Sequence, residues 1–90
     1  MTDKIDLERK FLLRKFAALN NENRLKILFL CQENGRTIKE LSKLIKLSHS
    51  KTSENTSILE REGLVNKTRN KDNTVTVKST IKISKEGVKW

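Results

Sequence analysis

The chain has 90 residues, 34% of them apolar, and sets 20 Lys plus Arg against 11 Asp plus Glu for a formal net charge of +9. That length predicts one domain, residues 1–90, which buries only about 60–65% of the surface its unfolded form exposes, and the charge suits an anionic partner. A lone cysteine, Cys31, excludes an intrachain disulfide framework, MTDKIDLERK lacks the apolar core of a signal peptide, and no apolar run approaches membrane-spanning length, so a cytoplasmic location is expected.

From Asp3 to Leu19 there is neither Gly nor Pro, and Ile5, Phe11, Leu12, Phe16 and Leu19 recur at spacings near three and four. This predicts an amphipathic helix over residues 1–19, with Leu13 and Ala17 broadening its apolar stripe. So wide a face exceeds what one layer of a small protein covers. Ile5, Phe11, Leu12 and Phe16 are therefore candidate contacts between subunits, and a homodimer is expected.

Asn20 and Asn21 interrupt that helix and cap the next, which is predicted over about residues 22–34. Leu25 and the run Ile27, Leu28, Phe29, Leu30, Cys31 make it apolar on nearly all sides, as in a central, buried helix. Cys31 reads as core filler, and Gly35 stands where a helix C-terminus favours positive φ. Thr37 and Glu40 have capping-box spacing, opening a third helix whose inner face is Ile38, Leu41, Leu44 and Ile45.

After Lys46 and Leu47, Ser48 is a second N-cap, for a fourth helix from His49 to about Glu62 with Gly63 as its stop. Two short helices joined by so tight a break, residues 37–62, read as a helix-turn-helix. The fourth helix has no large apolar residue between His49 and Ser57, so Thr52 and Thr56, with Ile58 and Leu59, must serve as its inward contacts. Its other face, His49, Ser50, Ser53, Glu54 and Ser57, is short and polar, as suits a helix displayed to a partner.

From Leu64 the period changes to two: a strand to about Arg69, a turn at Asn70 to Asn73, then a strand in which Val75, Val77, Ile81 and Ile83 face one way. Residues 64–83 form the expected wing. Residues 64–90 hold seven cations against Asp72 and Glu86. Ser84 reads as the N-cap of SKEGVKW, the first turn of a fifth helix barely begun at Trp90, which reads as packing or a frayed end. The predicted class is mainly α with a small β-hairpin, in the order α-α-α-α-β-β plus the start of a C-terminal helix: a winged helix-turn-helix.

LNNENRLKIL at 19–28, TIKELSKLIKLSHSKTS at 37–53 and ILEREGLV at 58–65 resemble the ArsR-type family of bacterial and archaeal winged-helix repressors over about residues 17–84. Features recurrent in that family stand here as Arg24, Thr37 with Glu40, Ser48 with Ser50, and Glu62 to Val65. The metal-sensing branch carries a cysteine pair in its third helix; TIKELSK has no thiol, and one His and one Cys supply too few soft ligands, so neither metal nor cofactor is expected. Thr56 falls where relatives place leucine. Glu54 falls where they often place a basic or aromatic residue, and its carboxylate signals either sequence choice or weak binding.

With such a fold, the fourth helix enters the major groove of double-stranded DNA N-terminus first. Ser48, His49, Ser50, Lys51, Ser53, Glu54 and Ser57 are its candidate contacts to phosphates and base edges. Lys67, Arg69 and Lys71 on the wing, with Lys39, Lys43 and Lys46 on or after the third helix, are candidate backbone contacts. The expected function is a sequence-specific transcriptional regulator, a repressor acting as a nucleoid-associated homodimer, with no effector identifiable. An architectural DNA-coating protein and a winged helix used for protein contacts are the alternatives. No nucleophile–base pair, carboxylate pair or phosphate-cradling glycine loop points to an enzyme.

Overall fold

A computed structural model describes residues 4–89. The elements run α1 (Lys4–Leu19), α2 (Glu22–Cys31), β1 (Arg36–Thr37), α3 (Ile38–Ile45), α4 (His49–Arg61), β2 (Val65–Arg69), β3 (Val75–Ser79), β4 (Lys82–Ser84) and β5 (Gly87–Lys89). The starts of α2, α3 and α4 each have a local cause. The Asn21 side chain accepts the Arg24 N–H at 3.0 Å to open α2, and Ser48 Oγ accepts the Lys51 N–H at 3.1 Å to open α4. The capping box at α3 is complete: Thr37 Oγ1 accepts the Glu40 N–H at 3.1 Å, and Glu40 Oε1 accepts the Thr37 N–H at 3.2 Å.

The hydrogen bonds from Thr37 hold the Glu40 carboxyl below its ordinary value of 4.5. A depressed folded-state pKa means that this support is present above pH 4.5 and fades as pH falls through the lower folded value. Thr37→Ala is expected to lower the unfolding free energy by about 1 kcal/mol, read from denaturant midpoints at constant slope.

Breaks between helices are as local as their starts. Lys46 adopts left-handed backbone at φ 58° and ends α3, and Gly63, at φ +75°, ends α4 before the chain turns into β2. Gly35 behaves otherwise than expected, since its φ is not positive. Close approach is what requires glycine there, because a Cβ would sit 2.7 Å from Thr76 Cγ2 on β3. That approach brings β1 alongside β3, pairing Arg36 with Val77 and Thr37 with Thr76. The two-residue strand β1, unmarked by any alternation, completes an antiparallel sheet of order β1-β3-β2.

The core gathers Ile27, Leu28 and Cys31 of α2, Ile38 and Leu41 of α3, Leu59 of α4, and Leu64, Val65 and Val77 at the sheet. Thr52 and Thr56 are fully buried as expected, and their hydroxyls donate back to the carbonyls of Ser48 and Ser53, both at 2.9 Å. Those bonds let a polar residue take an inward position without an unpaired group. Burial pushes the Cys31 thiol up to about 11. Cys31 is therefore expected to resist alkylation in the native protein near neutral pH and to react fully once a denaturant is added, as followed by mass spectrometry.

Two inner faces are narrower than their sequences suggest. In α2, Phe29 turns outward and is 50% exposed, and in α3 Leu44 is 52% exposed. Together with Leu30 and Ile45 they line a shallow apolar groove between α2 and α3.

The C-terminal segment departs most from expectation. No fifth helix forms over residues 84–89: β4 and β5 make a hairpin pairing Lys82 with Lys89 and Ser84 with Gly87. Ser84 Oγ does accept a backbone N–H, that of Glu86 at 3.2 Å, but this closes a turn in which Gly87 takes φ 128°. The expectation for Trp90 lies outside the described residues. The second wing strand also stops earlier, at Ser79, because the Ser79 hydroxyl donates to the Ile81 carbonyl at 2.6 Å and bends the chain. Ile83 then belongs to β4, where its N–H donates to Gln32 Oε1 at 2.9 Å and ties the hairpin to the end of α2.

Candidate nucleic-acid interface

The side of α4 that holds Thr52, Thr56 and Leu59 is buried, and at about 100° per residue the ridge opposite is Ser50, Glu54 and Ser57. Ser48, His49, Ser50, Lys51, Glu54 and Ser57 are exposed, and Ser53 is half-buried. Lys51 Nζ and Glu54 Oε2 form an ion pair at 3.6 Å, the charged feature of an otherwise hydroxyl-rich ridge.

Strand β2 runs beside α4, and Lys67 Nζ donates to Ser57 Oγ at 2.8 Å, so a wing cation stands against the middle of the displayed helix. Arg69 at the end of β2 and Lys71 in the turn are exposed. The turn is held firmly: Asn70 N–H donates to the Thr74 carbonyl at 2.8 Å, Asn73 takes φ 67°, and Asp72 Oδ1 accepts the Thr74 hydroxyl at 2.6 Å. That hydroxyl keeps the Asp72 carboxyl below the usual carboxylate range, so the turn retains an anion between Lys71 and the strand at ordinary pH.

Lys39 and Lys43 are exposed on α3, as is Lys46 just after it. Lys39 and Lys43 lie one turn apart on the same face, whereas Lys39 and Lys46 border different features. Lys39 lines a cleft of about 220 Å³ with Thr37, His49 and residues Asn73 to Val75, where the starts of α3 and α4 meet the wing tip. Lys46 instead borders the apolar groove of Phe29 and Leu44. Lys39 thus stands with the start of the displayed helix.

A second feature of the site lies behind α4. Arg24 Nε donates to the Ala18 carbonyl at 2.6 Å, and its Nη1 donates to Asn55 Oδ1 at 3.1 Å. Asn55 Nδ2 in turn donates to the Lys51 carbonyl at 3.0 Å. One guanidinium therefore joins the end of α1 to the middle of α4. Lys15 Nζ adds a bond from α1 to the Glu62 carbonyl at the far end of α4. Sequence reasoning marked Arg24 by resemblance alone and passed over Asn55; the available signal was a pair of polar residues on otherwise inward-facing turns.

On α1, the candidate subunit contacts Ile5, Phe11, Leu12 and Phe16 are 72, 58, 42 and 50% exposed. Among the described residues, no group of three or more His, Cys, Asp or Glu side chains is placed to hold a metal ion. Nor is any helix among them long and apolar enough to cross a membrane.

A capped helix carried outward on a three-helix base, flanked by a cationic hairpin, defines a winged helix-turn-helix. Residues 21–67 match the family described as bacterial regulatory protein, arsR family. Among solved structures, HlyU from Vibrio cholerae is 33% identical over 94% of this chain and 85% of that one, with a TM-score of 0.72. The transcriptional regulator HlyU from Vibrio vulnificus is 27% identical over 91% of this chain and 81% of its own, with a TM-score of 0.71. The homodimeric winged helix-turn-helix DNA-binding domain of Mb0332 from Mycobacterium bovis shares the fold, with a TM-score of 0.80 at 23% identity over 88% and 72% of the two chains. A comparison with curated proteins finds no match. The chain belongs to the ArsR family, whose members are DNA-binding transcription regulators rather than enzymes.

Proposed function

We propose that the protein is a sequence-specific repressor that binds double-stranded DNA as a cytoplasmic homodimer. Residues 1–90 act as one unit in which α1 pairs subunits, residues 37–62 form the helix-turn-helix and the β2–β3 hairpin is the wing. The observation that carries this reading is the polar ridge of α4, held by Thr52 and Thr56 and flanked by Lys67. Ser48, His49, Ser50, Lys51, Ser53, Glu54 and Ser57 face the major groove. Lys67, Arg69, Lys71 and Lys39 take the flanking phosphates, with Lys43 and Lys46 as more distant cations.

Support for the dimer comes from α1, which among the described residues bears six of the eight large apolar side chains that stand exposed. Patches of that kind on small proteins mark association surfaces. The apolar stripe adjoins a groove of about 780 Å³ whose lining mixes Phe11, Ala18 and Ile58 with Arg14, Arg61 and Glu62, room for an amphipathic element of a second subunit. Two-fold pairing there sets the two α4 helices to read half-sites one duplex turn apart, about 34–36 Å.

The test is titration of selected and random duplexes across a salt series. A repressor keeps a gap on the order of 10³-fold between them, and an architectural protein loses it. Lys67→Ala and Arg69→Ala are each expected to weaken both kinds of duplex equally and to reduce the salt slope by about one. Unchanged affinity in both variants removes the wing from the interface.

A further inference from the structure

Glu54 is out of keeping with a surface meant for a polyanion. It is the acidic residue of the first turns of α4, it points roughly opposite to the buried Thr52, Thr56 and Leu59, and its side chain is 61% exposed. Lys51, one turn back and 67% exposed, sits 3.6 Å from it. A carboxylate on that ridge meets either phosphates, which repel it, or base edges, where it needs a donor because it only accepts.

The major-groove edges then decide which base it tolerates. Guanine presents two acceptors, and thymine an acceptor with a methyl group. Adenine has a donor amino group beside the N7 acceptor, whereas cytosine offers its N4 amino group without an adjoining acceptor. Cytosine is therefore the base that a lone carboxylate favours. The ammonium of Lys51 has the reverse requirement and suits guanine O6 and N7. Paired at 3.6 Å and one helical turn apart on α4, the two groups start from neighbouring positions, which puts them within reach of adjacent base steps.

Resting on the DNA-binding reading above, we propose that Glu54 is a specificity-determining residue that accepts from a cytosine N4 amino group while Lys51 donates to guanine at the adjacent step, so that each half-site carries two neighbouring G·C pairs opposite the middle of α4. In the free protein the two side chains neutralise each other across the ion pair. On the right sequence each exchanges its partner for a base edge of complementary polarity. On other sequences Glu54 is left facing acceptors, so it acts as a rejecting group as much as an attracting one.

The experiment is enrichment from a randomised duplex library with the full chain, repeated for Glu54→Gln and Lys51→Ala, followed by competition binding on single-position variants of the enriched site. Wild type is expected to enrich cytosine at one position per half-site with guanine next to it, and to discriminate against other bases there by about tenfold or more. Glu54→Gln is expected to move the preferred base from cytosine to adenine, because an amide pairs with adenine N6 and N7 together. It is also expected to raise affinity for random duplex, since a negative charge has gone. Lys51→Ala is expected to relax only the neighbouring guanine. Both positions are exposed, so thermal melting of the variants serves to confirm an intact fold. Enrichment without cytosine, or an identical preferred base for wild type and Glu54→Gln, overturns the base assignment while leaving the regulator intact. A wild-type protein that enriches nothing sinks the regulator reading and this proposal with it.

Discussion

Replacing Phe11 and Leu12 together by glutamine is expected to yield a folded monomer whose affinity for its two-half-site DNA has fallen by about 10²–10⁴-fold. Both side chains are largely exposed on α1 and neither belongs to the buried core, so the fold should survive their loss, and glutamine keeps helix propensity without altering net charge. What disappears is apolar surface worth roughly 25 cal/mol per Å² when a second subunit covers it. A dimer gains its DNA affinity by making the second half-site encounter intramolecular; a monomer must bind each half-site separately. Sedimentation would report the change of mass, and a duplex carrying a single half-site supplies the internal control. Its affinity should be the same for both proteins. A variant that sediments and binds like wild type would show that α1 is not the pairing surface.

The elements that sequence made legible are those fixed by local chemistry. Thr37 with Glu40, Ser48 and Gly63 each act within one helical turn, and each is found in the expected role. Thr52 and Thr56 were identifiable as inward residues because α4 offers no alternative over its first two turns, and burial bears this out. The polar ridge of the candidate interface follows from the same fact, being what remains once the inner face is assigned.

What escaped the sequence depends on contacts distant along the chain. Strand β1 has only two residues and exists because Gly35 lets the chain approach Thr76 on β3. The residues after Ser79 bend and pair as a hairpin since Gln32, at the end of α2, captures the Ile83 N–H. A serine followed by a short polar run marks a helix start and a turn alike, so nothing near Ser84 distinguished them. Of the cations, Lys67 is brought against α4, whereas Lys46 lies beside an apolar groove, a separation that charge counting along the chain does not reveal.

Arg24→Ala is expected to lower both stability and DNA affinity. Its guanidinium bonds to the Ala18 carbonyl and to Asn55 are charge-assisted and partly shielded, so losing them should cost about 2 kcal/mol, a fall in melting temperature of roughly 10 °C. Beyond that, α4 keeps only the Lys15 bond at its far end as a side-chain hydrogen bond to α1, the helix proposed to pair subunits, so the spacing of the two ridges across a dimer becomes less defined. DNA affinity measured far below the melting temperature should therefore fall, although Arg24 itself is only half-exposed and lies behind the interface. Arg24→Lys is expected to rescue little, since a point ammonium does not reproduce a planar fork serving two acceptors. The decisive comparison is a cycle with Asn55→Ala. If Arg24 acts on DNA binding through Asn55, the double variant should bind about as weakly as Arg24→Ala alone, leaving a coupling energy well outside the few tenths of a kcal/mol seen for independent sites. Additive losses would mean that the guanidinium supports the fold at Ala18 and has no part in aiming the recognition helix.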